Sequence, residues 1–136
     1  GVDDPSNPWI QLFTKVWQAH GDGKPLTNYE VYGMSEAYTF VEALQLAGKN
    51  LTREGLVKAL EKGGGKLQGP WFAPLRYSSS SHLGISGMKV VKLEGGKAVP
   101  VTPLEVTDMG NAPIKAGTAE AAPPPANGIP NVKPVS

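Results

Sequence analysis

Between Tyr29 and Gly48 the chain reads YEVYGMSEAYTFVEALQLAG, the longest run of helical spacing in the sequence. Met34, Ala37, Val41 and Leu44 recur every three or four residues, the period of one helix face. Tyr38, Phe40, Ala43 and Ala47 carry apolar character around most of the remaining circumference. A helix apolar on most sides is expected to be buried on most sides. Thr27 and Glu30 have the spacing of a capping box, and Gly48 suits the left-handed position that closes a helix.

Two shorter helices flank it. Ile10, Phe13 and Trp17 mark one face of the first, with Trp9, Leu12 and Val16 beside it. Asn7 and Pro8 read as its N-cap and first residue, Asp4 and Pro5 as the competing start, and Gly21 as its end. In the third, Thr52 is the N-cap and Glu54 an acid in the first turn, with Leu51 and Leu56 at the positions of a hydrophobic staple. Leu56, Val57 and Leu60 form a narrow apolar face, closed by Lys62 and three glycines.

From Gly69 the period changes. PWFAPLRY is short, aromatic and interrupted by Pro74, the pattern of an edge or irregular strand. SSSSHLG reads as a loop. Met88 to Leu93 reads as one mostly apolar strand, Gly95 to Lys97 as a hairpin turn and Ala98 to Val101 as the return. Pro100 and Pro103 confine that return to an edge. From about Thr107 the chain is rich in Pro, Ala and Gly and has too little to bury to offset its ordering entropy, so a disordered tail or a loose wrap is expected.

Composition narrows the classes. The chain has 136 residues, of which Gly and Pro make 30, and its last aromatic is Tyr77. The foldable part is therefore about 105 residues, within the range of one small domain. A net charge of +1 without a basic cluster leaves no electrostatic footprint for nucleic acid. The absence of cysteine excludes disulfides, thiolate zinc sites and a cysteine nucleophile. No apolar run reaches the length of a membrane span. The chain starts at Gly1 without an initiator Met, as expected of a processed chain or a piece of a longer one.

No motif of reaction chemistry stands out. His20 and His82 are far apart and lack partners at metal-ligand spacing. Ser81 beside His82 has the residue types of a nucleophile and base, without the G-x-S-x-G elbow that exposes a catalytic serine. Glu36 and Glu42 are six apart and face different sides of their helix, which does not suit paired acid–base work. Gly63 to Gly65 lack the preceding strand and following helix of a phosphate loop. Trp71 and Phe72 read as strand-side core aromatics, with a stacking platform as the alternative. Tyr32 and Met34 stand early in a helix that follows a loop, where side chains line either a core or a cleft.

The string carries a resemblance. Tyr29-x3-Gly33-x9-Ala43-Leu44-x2-Ala47-Gly48, then Leu51-Thr52-Arg53-Glu54-Gly55-Leu56, then Gly69-Pro70, then Ser81-His82-x-Gly84, then Val90-Val91-Lys92-Leu93 with its GGK turn and Val99-Pro100, stand in a specific order. Together they resemble the C-terminal third of a type I periplasmic solute-binding protein of the branched-chain-amino-acid-binding family of ABC transporters. The likeness covers about residues 5 to 103. Where the family often has Gly-Tyr-Asp-Ala, this chain has Gly33-Met34-Ser35-Glu36, which leaves the solute open.

The resemblance implies an α/β fold, a fragment of a two-lobed type I binding protein: three helices, a terminal β-hairpin and a disordered tail. It assigns residues 1–26 to a helix of the C-terminal lobe and 27–80 to helices and an edge strand of the N-terminal lobe. It assigns 81–106 to the third crossover and strands returning to the C-terminal lobe, leaving 107–136 as the tail. The implied function is binding without reaction: capture of a branched-chain amino acid, amide or related polar solute and delivery to an ABC permease in the membrane. The implied protein is exported to the periplasm or outside the cell, with a signal peptide upstream, monomeric at full length and without cofactor. The same fold serves as the ligand-sensing module of receptors and regulators, the alternative reading. The family's main ligand-clasping residues would lie upstream. Met34 falls where relatives often place an aromatic against the solute, and Tyr32 is its neighbour; these two are the expected ligand contacts. Because such a fragment lacks the cover that a doubly wound sheet needs, the 136 residues are expected to be poorly stable and not to bind solute alone.

Overall fold

The computed structural model describes residues 1–107 and 113–135. Within them are three helices and five short strands, all paired antiparallel, so the fold is mixed α and β.

Helix α1 (Pro8–His20) starts where Asn7 accepts a hydrogen bond from the Trp9 amide at 2.9 Å, and Gly21 follows its end. Asn7, not Asp4, is thus the cap. Helix α2 (Asn28–Ala47) opens on the predicted capping box: the Thr27 amide donates to the Glu30 carboxylate at 2.9 Å, and the Thr27 hydroxyl also bonds it. Those bonds hold Glu30 below the usual carboxylate range, the hydroxyl contributing most. Gly48 ends α2 at φ 60°, a conformation that favours glycine. Helix α3 (Arg53–Gly63) is capped by Thr52, which accepts from the Gly55 amide at 2.9 Å. A turn of 3₁₀ helix, Gly64–Lys66, follows.

The helices meet in two clusters. In the first, Trp9, Ile10 and Phe13 of α1 pack on Val31 and Tyr38 of α2, with Met34, Leu12, Leu26 and Val2 at its margin. Trp9 meets Tyr38 edge-on, centroids 5.0 Å apart, a favourable aromatic geometry. In the second, Leu46 and Ala47 of α2 pack on Ala59 of α3 and on Leu67 and Leu75. Gly55, Ala59 and Gly63 recur every four residues on the buried side of α3; Ala59 and Gly63 meet α2 through Leu46, and Gly55 lies against Asn50 of the connecting loop.

The buried face of α2 differs from the one that apolar spacing picks out. Val31, Ser35, Tyr38, Glu42 and Leu46 face inward, whereas Ala37, Val41 and Leu44 are exposed, as is Phe40. Helix α2 is therefore not buried on most sides. Its helical neighbours, α1 and α3, cover only part of the circumference, and Tyr38 and Leu46 reach them where the Val41–Leu44 row does not. Val57 and the staple residue Leu51 are likewise exposed, and α3 buries its small residues instead.

The strands follow. β2 (Val91–Glu94) and β3 (Lys97–Pro100) form the predicted hairpin, with Gly95 and Gly96 at φ 55° and 80° in its turn. Met88 does not belong to β2. It lies in β1 (Gly87–Met88), which pairs with β4 (Glu105–Val106), and β4 pairs with β5 (Lys115–Ala116). The separation falls at Val90, whose amide donates to the Thr102 side chain at 2.9 Å and not to a strand. The segment PWFAPLRY is irregular, as Pro70 and Pro74 require. Ala73 and Leu75 alternate inward without a named strand, and the Arg76 amide donates to Gly84 O at 2.8 Å.

The tail, expected to be disordered or a loose wrap, lies against α1 and α2 over its described part. Beyond β5, the Ala122, Pro130 and Val132 main chains bond to α1 or α2, and Val132 and Val135 touch the second cluster. Main-chain hydrogen bonds anchor the tail, and these need no large side chains. Residues 108–112 and 136 of that predicted tail lie outside the described residues.

Candidate functional site

A groove of about 530 Å³ opens where α1 and α2 both begin. Its walls include Trp9, Tyr32, Trp71 and Phe72, with Asn28, Ser35, Lys89 and Glu120 among its polar residues. Each wall is set by a local feature already described. The Asn7 cap fixes the first turn of α1 and so places Trp9. The capping box starts α2 in a register that turns Val31 and Ser35 inward and leaves Tyr32 at the rim, 55% exposed. Prolines 70 and 74 bracket the irregular segment that brings Trp71 and Phe72 opposite.

The polar groups here are mostly engaged. The Ser35 hydroxyl is buried and donates to Val31 O at 2.6 Å, so it is not a free nucleophile. The Tyr32 hydroxyl is bonded to Glu36, one turn on, and this bond raises the phenol above its ordinary range. Lys89 Nζ stands 5.2 Å from the centre of the Phe72 ring, within cation–π range. Trp71 is half-buried, and its indole N–H has no hydrogen-bond partner among the described residues. Such a surface suits an amphipathic small molecule, with rings to stack on and an amide and an ammonium at the edge.

Of the two residues expected to touch ligand, Tyr32 lines this groove and Met34 does not. Met34 packs against the first cluster and lines a separate apolar groove of about 300 Å³ with Leu12, Val16, Ala37 and Val41. Two positions along a helix turn side chains to nearly opposite sides, so one groove cannot take both. Phe72 is 51% exposed, so the stacking alternative for this aromatic has the accessible surface it needs.

Spacing passed over Trp9 as a groove residue, and also Ser35 and Glu42. The row Val31, Ser35, Tyr38, Glu42, Leu46 has helical spacing, but two polar members hide it from an apolar count. Glu42 is wholly buried, with one oxygen accepting from the Gln68 amide at 2.7 Å and the other without a partner among the described residues. Burial pushes its carboxyl up to about 7, against the opposing effect of the Gln68 bond. Burial first, and the nearby Glu42 second, push Tyr38 up to about 12.

The remaining candidates lie elsewhere. His82 bonds Glu61 at 2.9 Å, and Ser78 to Ser81 form a tight turn. Glu36 is on the surface and Glu42 inside, on different sides as expected. Among the described residues no group of three His, Asp or Glu could hold a metal, and no helix is long and apolar enough to cross a membrane. No family model, curated protein or solved structure matches this chain.

Proposed function

We propose that this chain is part of the solute-binding component of an ABC transporter, which captures a small polar solute and hands it to a membrane permease. The proposed solute is a branched-chain amino acid, an amide or a related compound, taken up by an exported protein. The observation that carries the reading is the groove at the start of α2. It is open, aromatic-walled and rimmed by Asn28 and Lys89, and it lies at the helix end that the resemblance would direct at the ligand. The Lys89 ammonium in its lining favours a carboxylate-bearing solute. Tyr32 is the proposed ligand contact of this groove. Met34 enters the proposal only as part of the adjacent apolar groove.

The test is a thermal-shift and calorimetric screen of the full-length protein against amino acids, their amides and small aromatic acids. Stabilisation by one of these classes, with a change in tryptophan fluorescence from Trp9 or Trp71, is the expected outcome. No shift with any of them would remove this substrate class.

A further inference from the structure

The C-terminal segment crosses α1 and α2 as an extended peptide broken by one turn, where the Gly128 amide donates to Pro125 O at 2.8 Å. Pro123, Pro124 and Pro125 fix their own φ and restrict Ala122 before them to extended conformations. The helices read this segment through its main chain. Trp9 Nε1 donates to Ala122 O at 3.0 Å. Gln45 uses both ends of its amide, donating to Pro130 O and accepting from the Val132 amide, each at 2.9 Å. The Val135 amide donates to Leu46 O at 2.9 Å, in the last turn of α2, where carbonyls lack helical partners.

The segment adds little to the core. Among the described residues the last buried apolar side chain is Leu104, and Val132 and Val135 are only partly covered. It also comes very close to the helices. A Cβ at Gly63 would stand 2.6 Å from Val135 Cγ1, and one at Gly48 would stand 3.0 Å from Pro134 Cβ. An indole N–H reading a carbonyl beside prolines is the physics by which aromatic grooves hold proline-rich peptides, with backbone contacts and low ordering cost.

We propose that the α1–α2 face is a peptide-docking surface and that its occupant is the chain's own segment Ala121–Val135, held as an exchangeable strap and not as core. Two grooves depend on it. Ala121–Pro123 and the adjoining Glu120 wall the aromatic groove, and Gly128 and Pro130 wall the apolar one, so release of the strap opens both. The inference holds whether or not the aromatic groove takes a solute.

Amide hydrogen exchange on the full 136-residue chain tests it. The Val132 and Val135 amides should be protected at least about tenfold over the same sequence as a free peptide, yet at least about tenfold less than the Leu46 amide. Exchange at the free-peptide rate would mean that nothing docks. Exchange matching Leu46 would make the segment core. Either result overturns the proposal. Gln45→Ala should return Val132 to the free-peptide rate while Leu46 stays within about twofold; joint loss of both protections would overturn it. The rates should not change on dilution, because dependence on concentration would place a second copy's segment in the seat and overturn the intramolecular assignment.

Discussion

The two ends of α2 solve the same packing problem in opposite ways. At its start, α2 meets α1 through large rings, Trp9, Phe13 and Tyr38, with centroids 5.0 to 6.5 Å apart. At its end it meets α3 through Leu46, Ala47, Ala59 and Gly63. Rings touch at few points and leave space between them, and both grooves border this end. Small residues bring two backbones close and leave little room. The ring end is thus suited to binding and the small-residue end to holding the fold, with Glu42 buried between them. Cavity formation should be costly at one end and tolerated at the other.

The largest effect is expected at the holding end. Leu46 is fully buried and central to the second cluster. Leu46→Ala should cost about 2–5 kcal/mol, the range for a buried leucine whose site collapses only partly. Urea unfolding followed by circular dichroism measures it. A loss below about 1 kcal/mol would mean that the end of α2 is looser than its contacts indicate.

Glu42 comes next. Its folded carboxyl titrates near 7, above the ordinary 4.5. A raised carboxyl favours folding while protonated, so its stabilising contribution is fully present below about pH 4.5 and is lost as pH rises through 7. The difference between the plateaus is on the order of 3 kcal/mol. The chain should therefore unfold at lower urea at pH 8 than at pH 5. Glu42→Gln, neutral throughout and still able to accept from the Gln68 amide, should flatten that dependence. An unchanged pH profile in the variant would assign it to another group.

Two changes at the ring end should be milder. Met34 is partly buried at the margin of the first cluster, and Met34→Ala should cost roughly 1–2 kcal/mol of stability. The resemblance instead puts a loss of that size into solute affinity, with stability unchanged. Measuring both on one variant separates the two assignments. Tyr38 carries a buried hydroxyl without a partner among the described residues. Tyr38→Phe should be neutral or stabilise by up to about 1 kcal/mol, since it removes an unsatisfied polar group and keeps the ring. A clear loss would reveal a bond from that hydroxyl to Glu42.

What could be read from the sequence follows this division. Caps, helix ends and the hairpin were legible, because Asn7, Thr27, Thr52, Gly48 and the Gly95–Gly96 pair act on their immediate neighbours. The face of α2 was not, because the buried row carries Ser35 and Glu42 while a more apolar row shares its spacing, and only the positions of α1 and α3 choose between them. For Tyr32 its place after a loop left core and cleft both open, and only the resemblance made it an expected ligand contact; the structure puts it on a groove wall. Its opposite walls, Phe72 and Lys89, come from segments far along the chain. The strap was legible only as the loose-wrap alternative to disorder, because main-chain hydrogen bonds leave no pattern in side-chain hydrophobicity.

Tyr32→Ala should change stability least. The side chain is more than half exposed, belongs to neither core cluster and bonds only across one helical turn to Glu36. Alanine also has the higher helix propensity, so the net change should stay within about 0.5 kcal/mol. If the aromatic groove holds the solute, the same variant should weaken binding by about 1 kcal/mol through loss of an aromatic wall, as read by calorimetry on the full-length protein. The two readouts distinguish wall from scaffold. A stability loss above about 1 kcal/mol would make Tyr32 part of the fold. Unchanged affinity at unchanged stability would leave Trp71 and Phe72 as the surface that meets the solute.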